Sequence, residues 1–404
     1  MPEQISLSTQ QRDTIRTLLT IITDKVSANV RDAQIPNGLL SGLAGQLLFL
    51  YKAYQYDASL VDEALFTQKL EALQEGLDQQ SFELSNGLAG QAWMLEYLNQ
   101  ADPENYDPEL LEEVDELFRA ALDHQPWQGE IEMVLGLSGF APYASRRAKQ
   151  SDQAALYEVI VNGFESTATH FDNGHITWSQ PQESVYRFNK DEPKEPEYNL
   201  GLAHGVPGII AALLPAVHIP SLQSRVTTLL LGACDWLLAQ QSPDSTSPAC
   251  FGSCAGGEHH SRLGWCYGDL TIAMTLARVG QQLDRPSYVE RALEIALHAA
   301  ERDEKAGHIS DAGLCHGFYG MALIYQILNQ LMPHPRFVQA MQYWVDYSLQ
   351  QYTERGVESL YSYNGLDKDY HEDFSFLMGY AGIGMALTTL FDDDTGWVDC
   401  LLMA

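Results

Sequence analysis

Residues 313–331 read GLCHGFYGMALIYQILNQL: two glycines, Gly317 and Gly320, open an almost wholly apolar run of helical length. The same Gly-x-x-Gly pattern recurs at Gly42-Leu43-Ala44-Gly45, Gly87-Leu88-Ala89-Gly90, Gly136-Leu137-Ser138-Gly139, Gly205-Val206-Pro207-Gly208 and Gly379-Tyr380-Ala381-Gly382. A degenerate seventh copy, Gly268-Asp269-Leu270-Thr271, has threonine at the second glycine. Successive first glycines lie 45, 49, 69, 63, 49 and 62 residues apart. Self-similarity on this scale marks a repeat architecture.

The runs after the glycines, such as Gln46–Tyr54, Ile209–Leu214, Met321–Leu331 and Ile383–Leu390, predict inner helices that are apolar all round. The segments before them are amphipathic. Leu111, Val114, Phe118 and Ala121 share one helical face, while Glu112, Glu113, Glu116 and Arg119 occupy the other. No alternating β-branched runs suggest strands. Each unit is thus an outer helix, a glycine turn and an inner helix, and such a pair buries its apolar faces only by stacking on neighbours. The last repeat, Phe374–Leu390, is as apolar as the central ones, where an open array would need a polar cap. The expected fold is therefore all-α: an α/α toroid of seven helix-hairpin repeats, about fourteen helices, forming a single domain over 1–404 with its turns gathered at one end. Ser179–Tyr198, with Pro181, Pro193 and Pro196, and Gln241–Ser261, rich in Ser, Gly and Pro, read as loop insertions near the active-site face.

Hydrophobic residues make up 45% of the chain and charged residues 19%, ordinary for a soluble globular protein, and no apolar run is long enough for a membrane span. Met1–Asp13 is polar and lacks an apolar signal core, so a cytoplasmic location is expected. A net charge of -31 repels nucleic acid and suits a basic peptide. Six cysteines in 404 residues are too sparse for a disulfide scaffold and read as thiols or metal ligands.

Chemistry concentrates in three consecutive turns: Gly201-Leu202-Ala203-His204-Gly205, Arg262-Leu263-Gly264-Trp265-Cys266-Tyr267-Gly268 and Gly313-Leu314-Cys315-His316-Gly317. The other turns carry Ser41, Asn86, Leu135 and Met378 before the first glycine. Cys266 and Cys315 each precede their glycine by two residues, so stacked repeats would place them close together. Two thiolates and one imidazole suit zinc, and three protein ligands leave a fourth tetrahedral position for water or substrate. Cys315 and His316 are adjacent, and neighbours on a regular helix point ~100° apart; a relaxed glycine turn is needed for both to face one ion. A buried structural cysteine is the competing reading. Likewise, His204 reads otherwise as a hydrogen-bonded turn residue, Tyr267 as packing and Arg262 as an ordinary ion-pair partner. Cys250, Cys254, His259 and His260 form a second cluster with metal-ligand chemistry, although a substrate-facing loop with free thiols explains them more simply. Cys234 and Cys400 are expected to be buried.

Taken together, His204-Gly205, Trp265-Cys266-Tyr267-Gly268 and Cys315-His316-Gly317, set in a sevenfold glycine repeat, resemble the LanC family of lanthipeptide cyclases. The resemblance runs from Gly38 to the last inner helix. It implies an α/α toroid with one catalytic Zn2+ on Cys266, Cys315 and His316, plus water or a substrate thiolate. It also implies addition of peptide cysteine thiols to dehydroalanine or dehydrobutyrine, giving lanthionine or methyllanthionine rings. His204 becomes the proton donor, Arg262 steadies the enolate or orients the peptide, and Tyr267 takes an active-site role. Glu132 stands where the family usually has aspartate, and is expected to orient His204. Thr271 is expected to perturb packing without touching the ligands. Implied partners are a dehydrated precursor peptide, leader plus core, with a separate dehydratase and a transporter. Two alternatives share the zinc site: an enzyme adding glutathione to dehydroamino acids in proteins, and a non-catalytic zinc-containing scaffold. A prenyltransferase-like toroid usually brings an aspartate ligand, and carbohydrate-cleaving barrels need paired carboxylates that these turns lack.

Overall fold

Inner helices begin one residue after the first glycine, at Leu43–Tyr56, Leu88–Ala101, Val206–Leu213, Asp269–Gln282, Phe318–Leu331 and Tyr380–Asp392. The third starts as a 3-10 turn, Leu137–Phe140, and continues as Ala141–Ala148. The computed structural model describes residues 5–32, 34–77, 81–148, 154–180, 197–244, 246–258 and 260–404. Among them are fourteen α-helices, and no helix is long and apolar enough to cross a membrane. The sequence pattern puts the glycine pair ahead of the helix. In the structure the pair straddles its start, the first glycine flanking the helix and the second lying in its first turn.

The reason lies in the helix's orphan N–H groups, which have no intrahelical acceptor. The preceding chain folds back over them, and the residue after each first glycine donates to the carbonyl seven residues earlier. Leu43 N–H reaches Pro36 O at 2.7 Å, Leu88 reaches Ser81 at 2.9 Å and Leu137 reaches Glu130 at 2.9 Å. Val206 reaches Asn199 at 3.0 Å, Phe318 reaches Asp311 at 3.0 Å and Tyr380 reaches Asp373 at 2.8 Å. This closed turn brings a carbonyl oxygen against the second glycine. A Cβ on Gly45, Gly90, Gly208, Gly320 or Gly382 would overlap the carbonyl oxygen of Leu39, Leu84, Leu202, Leu314 or Phe376 respectively. The fifth copy departs from the rest. Unlike the leading glycines of the other repeats, Gly268 takes a positive φ, 109°, and the neighbouring Thr271 is fully buried.

Two compact units divide the chain. One comprises Met1–Met94, Arg262–Trp265 and Ala296–Trp397. Its inner helices are buried on all faces, as along Phe318–Asn329 and Tyr380–Thr389. Its outer helix Thr9–Asp32 buries the stripe Ile15, Leu18, Leu19, Ile22, Thr23, Val26 and Val30, the pattern of a helix with one wet side. The turns of this unit are stitched backbone to backbone: Leu40 N–H to Ser85 O at 3.0 Å, Phe376 to Leu40 at 3.0 Å, Cys315 to Leu377 at 3.0 Å and Trp265 to Cys315 at 2.6 Å.

The other unit comprises Leu95–Ser261, Cys266–Ile295 and Val398–Ala404. Here Met133 N–H donates to Ala203 O at 2.9 Å and Ala203 N–H to Cys266 O at 3.3 Å, the same stitch between successive turns. Outer helices Glu112–Leu122, Ala154–Thr167 and Gln223–Leu238 pack around the inner helices Ala141–Ala148 and Val206–Leu213. One short antiparallel ladder in each unit, Thr169–His170 with Ile176–Thr177 here and Ser362–Asn364 with Asp369–His371 in the first, corrects the strand-free expectation. Most of the Ser179–Tyr198 insertion lies outside the described residues.

The glycine constraint has a direct check in chemical unfolding. Gly382→Ala should lose about 2 kcal/mol or more by forcing the turn open, whereas Gly365→Ala, with nothing within 4 Å, should change stability by less than about 0.5 kcal/mol.

Candidate active site

The stitching that joins the turns also fixes the cysteines. The Cys315 backbone donates to Leu377 and accepts from Trp265, the residue before Cys266, while the Cys266 carbonyl accepts from Ala203. Both thiols are buried, at 8% exposure for Cys266 and 7% for Cys315, and His316 is half-buried. The Trp265 N–H held on the Cys315 carbonyl sets the residue before Cys266 against the residue before His316. Cys315 and His316 precede the helix that starts at Phe318, so regular helical geometry does not force their side chains apart. Gly264 matters here because an added Cβ would sit 3.0 Å from Cys315 O and 3.1 Å from His316 Cβ. Two soft sulfurs and one imidazole, without a carboxylate in the trio, form a donor set that fits zinc.

His204 and Glu132 meet across 72 residues of sequence, with His204 Nδ1 2.8 Å from Glu132 Oε2. The Glu132 carboxylate is itself held by the backbone N–H groups of Val134 and Leu135. A carboxylate only accepts, so Nδ1 carries a proton and Nε2 is the ring nitrogen that this contact leaves uncommitted. Burial opposes the imidazolium, but the Glu132 hydrogen bond and charge, aided by Cys266, outweigh it and raise His204 above its ordinary value. The Tyr267 ring lies beside His204, with centroids 5.9 Å apart. Burial pushes the Tyr267 phenol up to about 12, against the lowering effect of its hydrogen bond from Asn199.

Arg262 is exposed, and among the described residues it makes no hydrogen bond or ion pair, unlike the other named site residues. The Gln241–Ser261 insertion is pinned to the start of the fifth inner helix. The fully buried Asp269 carboxylate accepts the N–H groups of Cys250 at 2.9 Å and Phe251 at 3.0 Å. Further along, Leu200 N–H donates to Ser253 O at 2.8 Å, and Asn199 bridges Cys254. Of the second cluster, Cys250 and Cys254 are half-buried and His260 is exposed. His259 lies outside the described residues. Cys254 donates to Glu197 at 3.3 Å, and burial with this carboxylate pushes its thiol up to about 12. Cys234 and Cys400 are buried, which raises both.

Sequence reasoning missed Asn199 and Asp269. An Asn-x-Gly stretch reads as a turn, but nothing local to it discloses a hydrogen-bond partner at Tyr267. Asp269 follows Gly268 as the first residue of its helix, and looks like ordinary N-terminal charge complementarity.

A helical-repeat fold with two thiols and one imidazole carried on its turns defines a class of all-α protein whose turns hold candidate metal ligands. The chain matches the family described as Lanthionine synthetase C-like protein over residues 33–403, and it belongs to that family. Among solved structures it is similar to nisin cyclase, with a TM-score of 0.74 and 20% identity, covering 96% of this chain and 97% of that one. That likeness shows the fold, the α/α toroid class expected from the repeats. A sugar epimerase from a ruminal bacterium aligns with a TM-score of 0.47 and 12% identity, over 75% of this chain and 87% of that one. An unsaturated glucuronyl hydrolase specific for heparin aligns at 0.39 and 12%, over 83% and 98%.

The Glu132 contact makes a checkable statement about charge. Because Glu132 raises His204, Glu132→Gln should move the His204 titration followed by NMR to lower pH; an unmoved or rising midpoint would contradict the pairing.

Proposed function

We propose that this chain is a cyclase that adds cysteine thiols of a dehydrated precursor peptide to dehydroalanine or dehydrobutyrine, forming lanthionine or methyllanthionine thioethers. The observation that carries the proposal is the hydrogen bond from Trp265 N–H to Cys315 O, which joins the turn that leads into Cys266 to the turn that holds Cys315 and His316. In this reading Cys266, Cys315 and His316 hold one zinc ion. When bound, zinc supplies Lewis acidity that brings a thiol with a free pKa of about 8.5 to thiolate at neutral pH.

The chain's own residues then handle charge and protons. As the peptide thiolate bonds to the β-carbon, the alkene pair moves onto the α-carbon and amide as an enolate. His204 Nε2 delivers a proton to the α-carbon and becomes neutral, and the thiol's original proton leaves to solvent. No electron is gained or lost overall. Glu132 serves this step by keeping His204 protonated and turned, since the 2.8 Å contact fixes Nδ1. Arg262, exposed and unpaired among the described residues, steadies the enolate or orients the peptide. A separate dehydratase supplies the substrate, in the cytoplasm, and a transporter removes the product.

Zinc-replete protein incubated with a dehydrated, cysteine-containing peptide should consume free thiols without change of peptide mass. Thiols that stay free would sink the cyclase reading, and thioether formation with glutathione alone would reassign the nucleophile. His204→Ala should lower kcat by roughly 10²–10⁴-fold while keeping its zinc. Cys315→Ala should lose stoichiometric zinc, and unchanged metal content would refute the ligand assignment.

A further inference from the structure

We infer that Asn199 is a positioning residue that fixes Tyr267 as a hydrogen-bond donor, leaving its phenolic hydrogen for the enolate oxygen of the reacting amide. The inference rests on the cyclase reading and assigns the oxyanion partner within it. Asn199 is buried at 7% exposure, and its two amide ends are committed. Its Oδ1 accepts the Gly201 N–H at 2.9 Å, so the end facing Tyr267 is the NH2 group, which donates to the phenolic oxygen at 2.8 Å. An amide NH2 has no lone pair to accept with. The phenol therefore receives one hydrogen bond from Asn199 and keeps its own hydrogen to give, and among the described residues no acceptor takes it.

The same short segment makes room for the ring. A Cβ on Gly201 would lie 2.8 Å from Tyr267 Cε1 and 2.5 Å from the Cys266 carbonyl oxygen. Asn199 and Gly201 thus set both the direction and the seat of Tyr267, whose ring stands 5.9 Å from that of His204. A donor and a proton source side by side match the needs of the addition. The carbon–sulfur bond forms, negative charge collects on the amide oxygen where Tyr267 donates, and the proton from His204 Nε2 reaches the α-carbon to discharge it. Oriented donors at the site of developing charge are a large catalytic term. The Glu197 carboxylate, two residues from Asn199, is engaged as the acceptor of the Cys254 thiol at 3.3 Å.

Asn199→Asp separates direction from structure. Its carboxylate still accepts the Gly201 N–H, but the other oxygen now accepts from the phenol and draws the Tyr267 hydrogen away from substrate. With dehydrated peptide, Asn199→Asp and Tyr267→Phe should each lower kcat by roughly 10²-fold, the usual cost of one oxyanion donor, with KM within about threefold. The double variant should be no worse than Tyr267→Phe alone, because the two act through one hydrogen bond. Zinc content and the thermal midpoint of Asn199→Asp should match wild type. If Asn199→Asp does not fold, Asn199→Ser keeps a short acceptor for the turn, cannot reach Tyr267, and should show the same loss. Wild-type kcat in the folded Asn199 variant, or losses that multiply in the double variant, would overturn the inference while leaving the cyclase reading intact. A wild-type protein inert toward dehydrated peptide would overturn that reading and this inference with it.

Discussion

A carbonyl oxygen seated against the first turn of each inner helix is the contact on which the rest depends. It is tolerated because the residue beneath it is glycine: Gly45, Gly90, Gly208, Gly320 and Gly382 each face such a carbonyl with no Cβ in the way. The carbonyl is there because the chain folds back to satisfy helix N–H groups that would otherwise be orphaned. Once the turn closes on itself, the residue two before the first glycine has its peptide groups turned sideways. They bond the next turn, as Leu40 does to Ser85 and Phe376, and Ala203 to Met133 and Cys266. Cys266 and Cys315 occupy that stitched position, so the contacts that assemble the fold also place the thiols.

This explains why chemistry and stability share residues here. Cys315, held by its own backbone on both sides, would lose little further conformational freedom on capturing an ion, and preorganisation of this sort is what a site on a turn otherwise lacks. The fifth turn shows the compromise. Gly268 takes a conformation open to glycine at little cost, with φ at 109°, Thr271 replaces the second glycine, and the loop before it is tied down through Asp269. The strongest departure from the repeat falls at the turn that carries Arg262, Cys266 and Tyr267.

Much of the fold was legible because its cause is local. A glycine pair ahead of an apolar run is a steric requirement written into side-chain identity, and the amphipathic segments between declare the outer helices. The seven-residue backbone closure was not legible, since its acceptors are carbonyls of Pro36, Ser81, Glu130, Asn199, Asp311 and Asp373, and a carbonyl belongs to every residue type. Residues whose chemistry is rare, Cys266, Cys315 and His316, stood out by type and turn position. Glu132 could be suspected from its place in the third turn, but its contact with His204 depends on how two repeats stack. Asn199 was invisible, because its role lies in the direction of one hydrogen bond to a residue 68 positions away. The Cys250 loop read more simply as free thiols than as a metal cluster, but its tie to the buried Asp269 carboxylate was not legible, because Asp269 lies 19 residues further along the chain.

The central claim is that the repeats build a zinc centre from Cys266, Cys315 and His316. Replacing the metal with Co2+ and recording the visible and near-ultraviolet spectrum tests this most directly. The account predicts intense d–d bands of a four-coordinate ion and sulfur-to-cobalt charge transfer, at one ion per chain, with the charge-transfer intensity about halved in Cys266→Ser. A weak six-coordinate spectrum without charge transfer, or a spectrum indifferent to Cys266→Ser, would contradict it.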